Sequence, residues 1–430
     1  MNSLKEPNIF RGVKPLEGKQ SLLLMRRLDG TIAFEHDQVS DMIAAQLGMS
    51  EEKKWERTTV DVTVKEEELK RALDTSPSNT ASVIDEMSYP LMRLWWRKDK
   101  EKMLGVVRNL TEKDSGGWHR AETVLIKKGD KEIYNVVKSW RMIHLLPVLA
   151  KVVERIILDK MTKCVDLEET QYGSKRKRST HNAFKQIAEF VEYNKNMNVG
   201  IMTMDMEGGF NNVDIDTLSD ILVYRGCDRE LIDWSRRWAS RRSFRLRFNR
   251  RTSKDYYTNK GVPQGSPLSP FLFGVYVADI FKPRFLTRIM VRRMVSSYVD
   301  DGAIAAATNS TDETKRLLSD TFQECKSIAN MRGMNFSSRK IEWIGIGKDD
   351  RRKLRVEEEE DKRMVEEIRI LGYRVDKDGK MRGHVEYWTE RGVGVKGRIA
   401  GLSRSFGSEG GLKTSKCLRL IQEAYLPMVY

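Results

Sequence analysis

The sequence predicts an α+β fold, and three observations carry that prediction. Residues 1 to about 110 contain segments with the apolar spacing of helices, notably 34–47 and 64–73. Residues 198–206 are apolar enough to form a buried strand, and a glycine pair follows them. Residues 296–306 hold two strands of apolar and small side chains around an Asp-Gly step, a pattern typical of a β-hairpin.

The composition indicates a folded, basic protein. A length of 430 residues suggests two or three folded units. The formal net charge of +15 costs self-repulsion and favours a polyanionic partner or an acidic membrane surface. No stretch approaches the roughly 18 uninterrupted apolar residues of a membrane helix, so no membrane span is expected. The four cysteines are isolated from each other and from the histidines, which fits an intracellular, reducing compartment.

The elements between these regions follow from local pattern. Residues 123–126 predict a strand, 127–131 a basic turn, 147–161 an amphipathic helix and 214–225 a further helix. In the basic stretch 236–254, the apolar residues Phe244, Leu246 and Phe248 alternate with arginines, which predicts a strand with one apolar face. The charged run 351–367 predicts a solvated segment or linker.

Candidate metal ligands appear at the ends of two predicted strands. Asp300 and Asp301 stand at the hairpin tip, where two adjacent acids are costly unless a cation meets them. Asp205 ends the 198–206 strand. From these residues alone, the acids could also be water-facing turn residues, or Asp205 a helix cap. Hard divalent ions take oxygen ligands, and two ions about 3.5–4 Å apart need bridging carboxylates. The pattern therefore predicts a site for two Mg²⁺ (or Mn²⁺) ions.

A third block, residues 260–273, places a Pro-Gln-Gly-Ser-Pro loop before an apolar helix. Gly265 permits close approach of a backbone, and Gln264 can hydrogen-bond a nucleotide or a template. The basic stretch 236–254 allows two interpretations. It is either a strand pair along a template backbone or a solvated ribbon with an apolar underside.

In this order, the three blocks resemble motifs A, B and C of reverse transcriptases, in the form found in non-LTR (LINE-like) retrotransposons. Residues 138–146 and 171–180 are similar to the fingers blocks of that family, 335–343 to motif D, and 370–373 to the primer-grip turn. The similarity runs from about residue 70 to the end of the chain.

The resemblance implies a right-hand polymerase fold with an antiparallel palm sheet flanked by helices, fingers and a partial thumb. It divides the chain into a mostly helical extension (1–110), fingers and palm (111–355), and a primer-grip region with the start of a thumb (356–430). Residues 426–430 stop inside what looks like the thumb helix of the family, so we expect a truncated thumb and a fragment or degenerate copy of a larger element.

The resemblance also implies residue roles. Asp205 and Asp300 would be the main metal ligands and Asp301 an auxiliary one, while Lys340 would protonate the leaving pyrophosphate. Phe210 would exclude a 2′-hydroxyl and so select dNTPs. The expected dNTP-binding residues are Lys128, Arg141, Phe210, Gln264 and Gly265. The expected nucleic-acid-binding residues are Arg178, Arg245, Arg247, Leu371 and Gly372.

The implied activity is RNA-directed DNA polymerisation, with an RNA template, a DNA primer and dNTPs as partners and a nuclear location. Alternatives are an inactive relic that only binds nucleic acid, an intron-maturase type of reverse transcriptase, and an RNA-making polymerase, against which Phe210 argues. The family often has a second aspartate where Asn211 stands. The metal-site hypothesis requires the side chains of Asp205 and Asp300 to converge, with neither buried against a lysine.

Overall fold

The computed structural model describes residues 25–26, 31–33, 35–46, 49, 60, 62–78, 87–112, 120–128, 133–175, 177–240, 242–249, 251–282, 292–346, 363–379, 381–387 and 389–390. The α-helices of this part are α1 (His36–Gln46), α2 (Glu66–Asp74), α3 (Tyr89–Lys98), α4 (Lys100–Glu112), α5 (Val148–Cys164), α6 (Thr180–Tyr193), α7 (Gly209–Asn212), α8 (Ile215–Tyr224), α9 (Arg229–Ser240), α10 (Ser269–Val277) and α11 (Thr311–Met331). The strands are β1 (Met25–Arg26), β2 (Ile32–Ala33), β3 (Arg120–Lys127), β4 (Trp140–Leu145), β5 (Asn198–Asp205), β6 (Arg242–Phe248), β7 (Arg251–Thr258), β8 (Arg292–Tyr298), β9 (Asp301–Thr308), β10 (Glu342–Ile346), β11 (Arg363–Met364), β12 (Glu367–Ile370) and β13 (Tyr373–Asp376).

The chain divides into two compact units, each assembled from three separate segments. Unit 1 comprises Met1–Glu168, Gly208–Asp279 and Ala329–Met334, and unit 2 comprises Glu169–Glu207, Ile280–Ile328 and Asn335–Tyr430. The boundaries predicted at 110 and 355 stay predictions.

Unit 1 contains a four-stranded sheet in the order β4-β3-β6-β7. The β3–β4 and β6–β7 pairs are antiparallel, whereas β3 and β6 are parallel. Apolar side chains on one face of this sheet, including Leu246 and Tyr256, pack against Val39 and Ile43 of α1. The predicted apolar underside of the basic stretch therefore covers a helix, as strand alternation requires.

The helices of unit 1 include α10, which is apolar and buried on all sides. Helix α5 is also buried around most of its circumference, and its buried residues include Lys151 and Glu154. It was predicted to be amphipathic with one apolar stripe, so its buried charges are a departure from that prediction. The Sγ atoms of Cys164 and Cys227 lie 3.7 Å apart, so these two cysteines are not isolated as the sequence suggested.

Unit 2 is built on a five-stranded sheet in the order β11-β10-β5-β9-β8. All neighbours are antiparallel except β10 and the edge strand β11, which are parallel. The side chains of Ile201 and Ala303 face Phe184 and Ile187 of α6 on one side of the sheet. On the other side α11 approaches so closely that a Cβ on Gly200 would lie 2.6 Å from a methyl of Leu318. Helices thus cover both faces.

The predicted α+β class agrees with this mixture of helices and mainly antiparallel sheets. Two local predictions were wrong. Residues 236–240 belong to α9 and not to a strand, because their apolar side chains have helical spacing. In the predicted 351–367 linker, Arg363–Met364 forms β11 and Glu367 begins β12, because these segments pair with other strands. Residues 351–362 lie outside the described residues, and so do residues 391–430 of the predicted primer-grip and thumb region (356–430). In the described part of the chain, no helix has the length and apolar character needed to span a membrane.

Candidate active site

Three aspartates meet at one end of the five-stranded sheet of unit 2. Asp205 ends β5 and is the register partner of Asp301, which begins β9. Directly opposed residues of an antiparallel pair have Cα atoms about 4.5–5.5 Å apart. The backbone N–H of Met206 donates to the carbonyl of Asp300 at 3.3 Å. Strand pairing therefore brings position 205 next to positions 300 and 301.

The turn that carries Asp300 has a strained backbone. Val299 has a φ of 59°, a left-handed conformation that is costly for a β-branched residue. The turn residues are Val299 and Asp300, because Tyr298 pairs with Asp301. The predicted turn at Asp301 and Gly302 was therefore wrong by two residues. Gly302 instead lies within β9, where an added Cβ would be 2.4 Å from the ring of Phe281.

Residues 170–173, in another segment of unit 2, contact this turn and the strand that precedes it. Tyr172 N–H donates to the carbonyl of Ser297, and Ser297 N–H donates to that of Thr170, both at 2.9 Å. A Cβ on Gly173 would lie only 2.5 Å from the backbone nitrogen of Val299. Only glycine allows this approach, so Gly173 holds the turn in its strained form.

The electrostatics of the three aspartates show that their charges repel each other. Partial removal from water and the charges of Asp300 and Asp205 together raise the pKa of Asp301 to about 6, although Lys340 and Arg369 oppose the rise. Like-charged carboxylates at close range destabilise each other's ionised form. The site is therefore one that a cation would stabilise.

Lys340 supplies a positive charge at this site. Its Nζ donates to Oδ2 of Asp205 at 2.9 Å. A single 3₁₀ turn, Ser338–Lys340, positions the lysine, because Ser337 N–H donates to the carbonyl of Asp205 at 2.9 Å. The Lys340 side chain is 50% exposed and that of Asp205 22%, so the pair stays open to solvent. Asp205 is therefore paired with a lysine but not buried against it.

The oxygen donors at this site match hard divalent ions in kind. Within the described residues, however, no group of three or more His, Cys, Asp or Glu side chains has an arrangement that could hold a metal ion. Metal binding therefore requires the aspartate side chains to reorient and Asp205 to exchange Lys340 for the ion.

In unit 1, Phe210 lies on the short helix α7 and stacks on Phe273 of α10, with ring centroids 4.8 Å apart. Val262 N–H donates to the carbonyl of Phe210 at 2.8 Å. Gly261, with a φ of 78°, approaches this segment so closely that a Cβ would lie 2.7 Å from the Asn211 carbonyl oxygen. The structure thus brings Phe210 next to the start of the loop formed by residues 260–269 (the 260–269 loop).

Gln264 and Gly265 lie in the same loop, against strand β4. His144 N–H donates to the carbonyl of Gln264 at 2.7 Å. Gly265 has a φ of 130°, and a Cβ there would lie 2.1 Å from the His144 carbonyl oxygen. His144 is itself buried, and its ring stacks on Phe244. Burial, with help from the charge of Arg242, lowers the pKa of His144 to about 3, so the ring is neutral.

The two predicted triphosphate ligands of unit 1 lie on neighbouring strands. Arg141 is exposed on β4 and pairs in register with Ile126 of β3. Lys128 follows β3 directly, and its Nζ donates to the carbonyl of Lys138 at 2.8 Å.

The predicted nucleic-acid-binding arginines all make ion pairs within their own unit. Arg245 contacts Asp255 and Arg247 contacts Glu122, both at 2.7 Å, and each arginine remains nearly half exposed. Arg178 pairs with Glu169 at 2.7 Å and lies over the ring of Tyr172.

Leu371 and Gly372 form the two-residue turn between β12 and β13, with φ values of 52° and 92°. Two successive left-handed residues are typical of a type I′ hairpin turn.

Comparison with known proteins identifies the family. A family model described as reverse transcriptase (RNA-dependent DNA polymerase) matches residues 126–375, more than half of the chain. The chain belongs to the reverse transcriptase family. Every site residue predicted above lies inside the matched span.

Retrotransposon proteins are among the relatives of this reverse transcriptase chain. The putative 115 kDa protein in type-1 retrotransposable element R1DM of Drosophila melanogaster is 28% identical over 194 residues, which cover 45% of this chain and 18% of that protein. The RNA-directed DNA polymerase from mobile element jockey of the same species is 26% identical, with 45% and 22% covered. The probable RNA-directed DNA polymerase from transposon BS is 28% identical, with 46% and 22% covered. The matches span about a fifth of these relatives' length, and they confirm the predicted LINE-like reverse transcriptase domain.

Among solved structures, apo telomerase from Candida tropicalis, truncated from its C-terminal domain, is similar with a TM-score of 0.43 and 11% identity. The match covers 70% of this chain and 62% of that chain.

Sequence reasoning missed the buried polar residues behind the reverse transcriptase motifs. Glu154 accepts hydrogen bonds from Ser266 and Trp238, and Arg242 donates to the carbonyls of Lys260 and Gly261. One signal was available, because an acid among the apolar residues of the predicted 147–161 helix requires a partner. The identity of that partner could not be read from spacing.

Proposed function

We propose that this chain is an RNA-directed DNA polymerase that adds deoxynucleotides to a primer 3′-hydroxyl on an RNA template. The single observation that carries the proposal is the strand register that brings Asp205 next to Asp300 and Asp301. The raised pKa of Asp301, caused first by burial and then by the charges of Asp300 and Asp205, supports a role in binding cations.

Asp205, Asp300 and Asp301 would hold two Mg²⁺ or Mn²⁺ ions. When bound, such ions activate a hydroxyl nucleophile and stabilise the charge of a leaving pyrophosphate. Lys340 would leave Asp205 as the acids take up metal. Its ammonium group would then be available to give a proton to the pyrophosphate.

The dNTP would be held by residues of unit 1. Lys128 and Arg141 offer charge-assisted hydrogen bonds to the triphosphate. Gln264 and Gly265 would form part of the nucleotide pocket. Phe210, fixed by its stack on Phe273, would exclude a ribose 2′-hydroxyl by its bulk.

In right-hand terms, we assign the five-stranded sheet to the palm and the four-stranded sheet to the fingers. Arg245, Arg247 and Arg178 would exchange their present carboxylate partners for phosphates of the nucleic acid, so binding should weaken steeply with salt. The Leu371–Gly372 turn would contact the primer. A nuclear location for this retroelement-type protein stays a prediction.

The test is dTTP incorporation on a poly(rA)/oligo(dT) duplex with Mg²⁺. Asp205→Asn and Asp300→Asn should each lower the rate by roughly a hundredfold or more, since each removes a charged metal ligand. Asp312→Asn, which changes an exposed aspartate in the first turn of α11, is the matched control and should retain full activity. Wild-type activity in either site variant would refute the assignment.

Sugar selection is tested by comparing dTTP with UTP. Phe210→Val should raise the relative use of UTP roughly tenfold or more, because the steric barrier is removed. Phe190→Val, on helix α6, is a control that changes the same residue type at a partly buried position. An unchanged ratio in Phe210→Val would remove the sugar-selecting role and reopen the RNA-making alternative.

The rival interpretation is a relic that only binds nucleic acid. It predicts salt-sensitive binding of an RNA–DNA duplex by wild-type protein, with no dTTP incorporation at any Mg²⁺ or Mn²⁺ concentration. The sequence-level argument against it is that all three acids are present.

A further inference from the structure

The carboxylate of Glu154 is buried in the middle of helix α5, where only 1% of the residue is exposed. Burial raises the pKa of Glu154 to about 7, although hydrogen bonds from Ser266 and Trp238 and the charges of Lys151 and Arg155 oppose the rise. A buried acid is costly unless its oxygens are satisfied. Nothing in the proposed chemistry uses this group, so its placement requires another explanation.

Both oxygens of Glu154 have one strong donor. Ser266 Oγ donates to Oε2 at 2.6 Å, and the indole Nε1 of Trp238 donates to Oε1 at 2.9 Å. The same Ser266 hydroxyl accepts the backbone N–H groups of Leu268 at 3.0 Å and Ser269 at 3.3 Å. These amides open helix α10. The hydroxyl therefore links the positive end of a buried helix to a buried carboxylate.

The hydrogen bond between Ser266 and Glu154 holds one side of the 260–269 loop, and strand β4 holds the other side. His144 N–H holds the carbonyl of Gln264, and Gly265 lies in direct contact with the His144 carbonyl. At the start of the loop, the buried Arg242 binds the carbonyls of Lys260 and Gly261. The backbone of Gln264 and Gly265 is thus held between β4 and the Glu154–Ser266 bond.

We propose that Glu154 is a positioning residue for nucleotide binding, acting through Ser266 to hold Gln264 and Gly265 in place. The proposal rests on the proposed polymerase function and adds to it a residue that does not touch the substrate. Glu154 acts on the affinity for the incoming dNTP and not on the chemical step.

The proposal has a pH signature. Ionised Glu154 accepts hydrogen bonds from both Ser266 and Trp238, whereas protonation removes the negative charge and weakens both bonds. The charged groups around Glu154 are Lys151 and Arg155 on its own helix and Arg242 on β6. Loosening of the loop is therefore expected as pH falls through about 7.

Steady-state kinetics with dTTP on poly(rA)/oligo(dT) provide the first test. Glu154→Met and Ser266→Ala should each raise the KM for dTTP roughly tenfold, with kcat within about twofold, since both remove the charge-assisted bond between Ser266 and Glu154. The KM of the double variant should be no higher than that of the more strongly affected single variant, because both changes break the Glu154–Ser266 bond. Trp238→Phe, which removes the donor to the other oxygen, should leave KM within about twofold.

The pH profile is the second readout. In wild-type protein the KM for dTTP should rise below pH 7 more steeply than in Glu154→Gln, whose amide does not ionise. Identical profiles, additive effects in the double variant, or a fall in kcat at constant KM would each overturn the proposal.

Hydrogen exchange separates this proposal from the polymerase function. In Ser266→Ala and Glu154→Met, the amides of residues 264–266 and 268–269 should exchange at least roughly tenfold faster, with no such change in Trp238→Phe. Unchanged exchange in both variants would refute the positioning role even if no polymerase activity were found. Faster exchange without dTTP incorporation by wild-type protein would retain the structural link and refute the polymerase.

Discussion

The aspartates of unit 2 and the 260–269 loop of unit 1 are held in place in different ways. Asp205, Asp300 and Asp301 are positioned by strand register and by backbone hydrogen bonds. The loop is positioned by the buried side chains of Glu154, Trp238 and Arg242, which come from two helices and a strand far apart in sequence. The first arrangement depends on backbone pairing and on glycines at close contacts, whereas the second depends on particular polar side chains.

The largest expected effect tests the close packing of the loop. Gly265→Ala places a Cβ 2.1 Å from the His144 carbonyl oxygen at a φ of 130°, so it should lower the free energy of unfolding by about 2–4 kcal/mol. Urea denaturation measures the change. Gly105→Ala is the control, because no atom lies within 4 Å of its Cβ in helix α4. It should stabilise by roughly 0.5–1 kcal/mol. Equal effects of the two changes would contradict the described packing.

In contrast, we expect a substitution in the turn that carries Asp300 to raise the free energy of unfolding. Val299→Asn replaces a β-branched residue at a φ of 59° by one that tolerates this conformation, so it should raise the free energy of unfolding by about 1 kcal/mol. Val223→Asn, at an exposed position in α8, is the control and should be near neutral. A lower free energy of unfolding in Val299→Asn would show that the contacts of the valine side chain stabilise the fold more than its left-handed backbone destabilises it.

A third prediction concerns pH. The pKa of Asp301 is raised from 3.8 to about 6, so the folded protein holds this proton more tightly than the unfolded chain does. The free energy of unfolding should therefore fall as pH rises from about 4 to about 6 and stay lower above that. The side chain reaches solvent, which limits the effect to roughly 1 kcal/mol. Without metal, Asp301→Asn should be more stable than wild type at pH 7.5 and nearly equal at pH 4. A constant difference between the two proteins would exclude this cause.

The smallest effect concerns the Lys340–Asp205 pair. If Lys340 competes with metal for Asp205, Lys340→Met should raise the affinity for Mn²⁺ about two- to fivefold, as expected for a partly exposed ion pair. Titration calorimetry without nucleic acid measures this. Lys377→Met, which breaks the exposed pair with Glu366, should have no effect. Weaker Mn²⁺ binding by Lys340→Met would show that the lysine helps to hold the metal.

The sequence predicted the proximity of Asp205 and Asp300 better than it predicted the packing of the 260–269 loop. Asp205 and Asp300 could be paired in advance because each stands where a recognisable strand ends. The left-handed Val299 could not be predicted, since it depends on Gly173 pressing on the turn from a segment about 125 residues earlier. Local pattern also placed the turn at Asp301 and Gly302, because Asp-Gly favours turns when no partner strand competes.

The residues that support the loop show why non-local burial escapes sequence reasoning. Glu154 and Arg242 look like ordinary charged positions until the packing of α5 and β6 encloses them. Their partners, the hydroxyl of Ser266 and the carbonyls of Lys260 and Gly261, lie at separations set by the tertiary fold. Similarly, the predicted template-binding Arg245 and Arg247 have carboxylate neighbours on adjacent strands that no spacing rule revealed.

The division of the chain into interleaved units has a consequence for biosynthesis. The polypeptide passes from one unit to the other five times, at residues 168, 207, 279, 328 and 334. A ribosome must therefore release Met334 before unit 1 has all of its segments, and unit 2 acquires β10 to β13 only after that point. A nascent chain stalled before that point could complete the four-stranded sheet of unit 1 but not the five-stranded sheet of unit 2, so β5 would have an unpaired edge that favours aggregation.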